Sequence, residues 1–256
     1  MSDELVREQR GAVLIARLNR PDARNALSPD IIRGISGAIA DAEADPEIRA
    51  VVVTGTGDKA FCAGMDLRAF AAGGQSPLDD DASRGFFRLL EGEVSVPVVG
   101  AANATAVAGG FELLLGCDVI VASSEAMFGL PEVKRGLFPA GGGTFLATRV
   151  ALGVALEMTL TGDSISAERA YDLGLVNAVV APDEVLPRAL ALAERIAANG
   201  PLGVRAVKEL VRLAVSDPAR ARERQREWQE IVFSSEDAKE GATAFVEKRS
   251  PVWRGR

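Results

Sequence analysis

The 256-residue chain contains no histidine. That absence removes Ser-His-Asp and Cys-His nucleophile systems, in which an imidazole takes the nucleophile's proton. It also removes histidine-liganded zinc and iron sites, and two cysteines, Cys62 and Cys117, are too few for a thiolate cage. Nor do they make a disulfide framework, which fits a reducing compartment, so a cytoplasmic location is expected. With one tyrosine, Tyr171, acid–base chemistry falls to carboxylates, lysine, that phenol or cysteine. No apolar run reaches the ~18 residues of a membrane span. The longest apolar region, from Val94 to Val121, is broken by Asn103, Glu112 and Asp118. The acidic start, Met1-Ser-Asp-Glu, lacks a basic-then-apolar leader, so no signal peptide is expected. A net charge of −7 works against nucleic acid. It leaves room for a small anionic ligand on a local basic patch.

What is present can build a core. Hydrophobic residues make up 48% of the chain, enough for one large domain or one domain with a helical appendage. Residues 12–19 read as a strand ended by the turn signal Arg20-Pro21-Asp22. Ser28-Pro29 opens an amphipathic helix through Ile31, Ile32, Ile35 and Ile39 to about Ala44. Residues 50–54 form a buried strand. A glycine-rich turn leads to residues 66–70, followed by a polar loop over 71–82 and a helix over 83–94. Residues 97–101 and 119–122 read as strands, with a helix over 109–116 between them. Strands alternating with helices imply βαβ units and an α/β core. After Gly142 the pattern is helical except for a strand over 176–180.

Three glycine-bearing segments can carry chemistry. In Ala108-Gly109-Gly110-Phe111-Glu112-Leu113, Glu112 lies on a helix apolar nearly all round, which should be buried. A carboxylate there is costly unless paired, hydrated or functional, and burial raises its pKa toward the range useful for proton transfer. Pairing with a buried cation is the structural alternative. Gly109 and Gly110 precede the helix body, where exposed N–H groups can meet a negative oxygen, or where helix and strand simply pack tightly. In Ala60-Phe61-Cys62-Ala63-Gly64-Met65-Asp66-Leu67, Met65 has the same relation to a turn, and Asp66 suits a helix start. In the third, Phe128-Gly129-Leu130-Pro131-Glu132, Glu132 reads as a loop carboxylate outside any regular helix, for which solvent exposure is the plain alternative. The later run Gly141–Gly143 lacks a following Lys-Ser/Thr and is no P-loop, and no G-x-G-x-x-G follows a strand. Cys62 and Cys117 read as small core residues.

Together these segments resemble the crotonase superfamily, the enoyl-CoA hydratase/isomerase group. The likeness extends through Arg20-Pro21, Asn25-Ala26-Leu27, Cys117-Asp118, Leu160-Thr-Gly-Asp163 and Phe245-Val-Glu-Lys248-Arg249, in order along nearly the whole chain. It implies a crotonase-like spiral of ββα units over 1–195 and a C-terminal helical trimerisation region over 196–256. A homotrimer or dimer of trimers follows from it, with an acyl-CoA substrate and no cofactor beyond that coenzyme A. By position, the resemblance makes the Met65 and Gly109 N–H groups an oxyanion hole and Glu112 and Glu132 the catalytic carboxylates. It places Arg24, Ala26, Ala60, Ala63, Gly64, Asp66, Leu67, Gly110, Pro131 and Lys248 near coenzyme A; a solvated face is the alternative for Lys248. Hydratases of the group keep both glutamates, so hydration of an enoyl-CoA is expected. A 3-enoyl-CoA isomerase, another acyl-CoA lyase or hydrolase, and an inactive CoA-binding scaffold are the alternatives. Three residues depart from the group's pattern. Ala108 stands where a third glycine is common, Leu130 where glutamine is common, and bulky Phe111 beside the base could narrow the acyl pocket.

Overall fold

A computed structural model describes residues 4–66 and 80–256. Its centre is a six-stranded sheet in the order β1-β2-β3-β4-β6-β9. The strands are β1 (Leu5–Arg10), β2 (Val13–Leu18), β3 (Ala50–Gly55), β4 (Val98–Ala102), β6 (Val119–Ser123) and β9 (Ala178–Val180). All neighbours are parallel except β1 and β2, which form an antiparallel hairpin.

Both faces of the sheet are covered, which is why β3 is buried at every residue and reads as a continuous apolar run. Side chains alternate across a strand, so Val51 and Val53 join one core cluster while Ala50 and Val52 join another. Helix α1 (Pro29–Ala44) covers the first face with Ile31, Ile35 and Ile39. Its Ser28 cap accepts from the Ile31 N–H, as the sequence signal implied. Helix α6 (Val185–Ala197) covers the second face with Val185, Ala189 and Ala193.

A smaller three-stranded sheet, ordered β5-β7-β8, holds the parts that matter below. Strand β5 (Ala106–Val107) runs parallel to β7 (Met127–Gly129), which pairs antiparallel with β8 (Ile165–Ser166). Helices α2 (Arg84–Glu91) and α3 (Gly109–Gly116) pack against each other beside it. Helices α4 (Leu152–Thr161) and α5 (Ala167–Asp172) precede α6; α7 (Pro201–Ser216), α8 (Pro218–Ser234) and α9 (Glu236–Glu247) follow it.

Most expected elements stand within a few residues of their predicted limits. The helix expected over 83–94 ends at Glu91, because Gly92 turns left-handed at φ 74°. The strand expected over 176–180 starts at Ala178, since the Asn177 side chain accepts from the Ile120 N–H. Glu132, read as a loop residue, lies in a short 3-10 helix, Pro131–Arg135. Strands β1, β5, β7 and β8 are absent from the sequence reading. Strand β1 is an exposed sheet edge carrying Arg7, Glu8 and Arg10, the charged composition that discourages edge-to-edge pairing and hides a strand from apolar pattern reading. The region expected over 66–70 lies, after Asp66, outside the described residues, as does Leu67. Among the described residues no helix is long and apolar enough to cross a membrane.

Candidate active site

Helix α3 starts abruptly. Ala108 precedes it at φ 51° and ψ −134°, a conformation open to glycine and costing other residues about 1–3 kcal/mol. This is the physical meaning of the departure at Ala108. The turn makes Gly109 the first helical residue, so its N–H has no acceptor inside the helix. Gly110 packs tightly: a β-carbon there would lie 2.2 Å from the Cys62 carbonyl oxygen. Tight packing is thus what Gly110 is for.

Residues 61–66 run between two strips of backbone. On one side the Phe61 N–H donates to Thr105, and the Cys62 carbonyl accepts from Val107. On the other, the Ala63 N–H donates to Arg24 and the Gly64 carbonyl accepts from Leu27. Leu27 and Met65 form a parallel bridge in which Gly64 and Asp66, flanking Met65, bond to Leu27. The N–H of the middle residue then points away from Leu27, toward the 106–109 side. A β-carbon on Gly64 would lie 3.1 Å from the Gly109 nitrogen, and one on Gly109 would lie 3.8 Å from the Met65 nitrogen. The two amides share one small space.

Glu112 follows Gly109 by three residues and so projects from the same side of α3. It is 6% exposed. No cation pairs with it among the described residues; its Oε1 accepts from the N–H groups of Gly141 (2.7 Å) and Gly143 (2.9 Å). Burial lifts the Glu112 pKa above the ordinary carboxylate value, and these two donors only partly oppose it. A β-carbon on Gly141 would lie 2.7 Å from Glu112 Oε2, so glycine is needed there. The sequence reading had dismissed Gly141–Gly143 as a phosphate loop and missed this use. A glycine run with no other duty, in a chain with an acid set in an apolar helix, was the available signal.

Glu132 reaches the same region because β7 pairs with β5, and the Ala108 N–H donates to the Gly129 carbonyl at 3.0 Å. Three residues beyond Gly129, the half-buried Glu132 carries a buried Oε2 without a hydrogen-bond partner among the described residues. Its pKa is raised, first by burial and further by the charge of Glu112, against the opposing pull of its own main-chain N–H and of Arg135. Solvent exposure does not describe it.

The positions expected near coenzyme A mostly converge. Ala63 and Gly64 lie beside the strip from Arg24 to Leu27, which includes Ala26. Asn25 is fully buried and donates from Nδ2 to the carbonyls of Thr56 and Ala60, tying Ala60 to the same ledge. Asp66 pairs with Arg20. Gly110 packs on Cys62, and Pro131 opens the turn that carries Glu132. Lys248 stands apart: it ends α9 in an exposed left-handed turn, and Arg249 beside it is held by Glu240 and Glu247. Phe111 corrects an expectation. It is fully buried with its ring 5.5 Å from that of Phe128, so it fills core rather than narrowing a pocket. Leu130 is likewise core. Cys62 and Cys117 are buried with their thiols pushed up to about 12, inert as nucleophiles.

An α/β core with an amide at a helix start, a second amide close by at Met65 and two pKa-raised acids is the kind of site that handles a carbonyl whose oxygen gains charge. The family model for enoyl-CoA hydratase/isomerase matches residues 8–256, and the chain belongs to that family of enzymes, within the crotonase superfamily. It is 39% identical to a carnitinyl-CoA dehydratase of Salmonella enteritidis, with all of both chains covered. It is 41% identical to enoyl-CoA hydratase EchA19 of Mycobacterium tuberculosis, covering 99% of this chain and 97% of that one. Its fold matches an enoyl-CoA hydratase structure from the same organism with a TM-score of 0.91, at 42% identity and complete coverage of both chains. A carnitinyl-CoA hydratase structure from Mycobacterium avium matches at 0.79, also at 42% identity and complete coverage of both.

Proposed function

We propose that this protein catalyses the reversible addition of water across the α,β double bond of an enoyl-CoA thioester. Coenzyme A is carried by the substrate, and no separate cofactor takes part. The observation that carries this reading is the unlike surroundings of the two acids. Glu112 accepts two main-chain N–H bonds, which favour its charged form, whereas Glu132 accepts only from its own main-chain N–H and keeps a second, buried oxygen with no donor, which favours its charged form less.

Glu112 takes a proton from water as the water oxygen bonds to the β-carbon. The alkene electron pair moves toward the thioester, and the enolate oxygen gathers charge between the Met65 and Gly109 amides. One such donor is worth roughly 3–4 kcal/mol of barrier. Glu132 then gives its proton to the α-carbon, and the proton that Glu112 took from water passes to Glu132, so one molecule of water has been added and both acids are restored. The reverse sequence eliminates water, the direction named for the dehydratase relative. The ledge formed by Arg24, Ala26, Ala60, Ala63, Gly64 and Asp66 carries the coenzyme. Exposed apolar side chains on the later helices, Phe233 and Phe245 among them, fit the homo-oligomer that the resemblance implies.

The test is a direct assay with crotonyl-CoA and with carnitinyl-CoA. Loss of the conjugated thioester absorbance on crotonyl-CoA, with a 3-hydroxyacyl-CoA product, is the expected outcome. Turnover of a 3-enoyl-CoA to the conjugated isomer, without hydration, would transfer the site to the isomerases. Gly110→Ala is expected to cut kcat/KM by at least ~100-fold. Its β-carbon strikes main chain at Cys62, and moving the helix start displaces an amide and a carboxylate together. Retained activity in a folded variant would show that the helix start need not be so placed.

A further inference from the structure

Leu27 touches the carriers of both amides. Its main chain brackets Met65: the Leu27 N–H donates to the Gly64 carbonyl at 2.8 Å, and its own carbonyl accepts from the Asp66 N–H at 3.4 Å. Its side chain, 8% exposed, reaches the other carrier. A β-carbon on Gly109 would lie 3.0 Å from Leu27 Cδ1, the nearest atom beyond its own helix and chain neighbours, with the Gly64 Cα next at 3.7 Å. Gly109 is not held at a positive φ, so its backbone would admit a side chain. The Leu27 methyl is what crowds it.

These contacts divide the placement of the two amides. The main-chain bonds of Leu27 fix where the Met65 segment runs, but not how far α3 stands from it. Gly110 sets how closely α3 approaches Cys62, three residues before Met65. At Met65 itself the stop is the Leu27 methyl against Gly109. Close-packed carbon yields little to compression, so one methyl can hold a spacing.

We infer that Leu27 is a positioning residue for the reaction, its side chain being the spacer that sets the distance between the Met65 and Gly109 amides. The inference rests on the reading of those amides as the place where the enolate oxygen gathers charge. Two donors serve one oxygen only if each stands about 2.7–3.1 Å from it, which leaves little tolerance in their separation. Without the δ-carbons nothing holds that separation, and one donor loses the oxygen.

Leu27→Val removes both δ-carbons while keeping most of the buried bulk, a loss small enough for the fold to survive. Leu27→Met has a similar volume and still reaches Gly109. Leu27→Val should lower kcat at least ~10-fold. Its KM for enoyl-CoA should stay within about threefold, because the main-chain bonds along the coenzyme ledge are untouched. Leu27→Met should return kcat to within about threefold of the wild type. A second readout needs no turnover: the infrared difference spectrum of bound butanoyl-CoA labelled at its carbonyl carbon. The carbonyl stretch should fall on binding to the wild type, revert most of the way to the free value in Leu27→Val and stay low in Leu27→Met. Plain core packing would lower Tm and move neither kcat nor the stretch, and that result in a folded Leu27→Val overturns the inference. So does a raised KM at constant kcat, or a wild-type stretch that binding leaves unchanged. A stretch that depends on residue 27 without any hydration would keep the spacer and reject the reaction; hydration with a stretch indifferent to residue 27 would do the opposite.

Discussion

Glu112→Gln lowers kcat/KM for enoyl-CoA hydration by about 10²–10⁴-fold while acyl-CoA affinity changes little. The amide keeps a carbonyl oxygen to accept from Gly141 and Gly143, so the side chain stays in place and only its basicity is lost. Glu132→Gln costs a similar factor by withholding the proton from the α-carbon. Because the two acids interact, the rate should follow a bell-shaped pH profile whose limbs belong to the pair. The acid limb sits above the ordinary carboxylate pKa, since burial raises both groups. Removing a raised acid also alters stability with a definite sign. Above the ordinary value the unfolded chain has released a proton that the folded chain retains, so wild-type stability falls as pH rises through the raised pKa. Glu132→Gln should therefore melt no lower than the wild type at acidic pH and gain on it toward neutrality. Near-normal hydration by either variant, measured under saturating substrate, would remove that carboxylate from the chemistry.

Legibility in the sequence followed burial. Strands β3, β4 and β6 are apolar at nearly every position because both sheet faces are covered, and they were found. Strand β1 is polar and exposed, and β5 and β8 are two residues each, too short for any periodicity to register. The acids at 112 and 132 could be singled out by type, one as an acid in an apolar helix and the other through family likeness. What no local pattern carried was the relation between them. That relation depends on β5 pairing with β7 and on the Gly141–Gly143 amides closing over Glu112, contacts between segments some 20 to 30 residues apart.

Asp118 is where α7 is fastened to the core, and Asp118→Ala should destabilise the fold by about 3–5 kcal/mol. Its Oδ2 accepts from the Val98 N–H and from Lys208 Nζ, and its Oδ1 accepts twice from Arg212. Arg212 also donates to the Gly116 carbonyl at the end of α3, so one carboxylate locks α7 to β4 and to the helix that carries Glu112. The Lys208 side chain is only 8% exposed, and without Asp118 its charge is left buried with a single carbonyl, that of Val96. For a domain of this size each kcal/mol shifts Tm by roughly 2–4 °C, so the fall is easily read by thermal denaturation. Burial already lowers the Lys208 pKa, with Asp118 opposing, and losing Asp118 lowers it further. A folded chain that has shed this proton while the unfolded chain keeps it grows more stable as pH rises. The deficit of the variant should therefore shrink toward alkaline pH, which simple loss of packing would not do. Adding Lys208→Met, which removes the stranded cation, should return much of the lost stability. A single variant that melts with the wild type would mean that α7 is held by its apolar contacts alone.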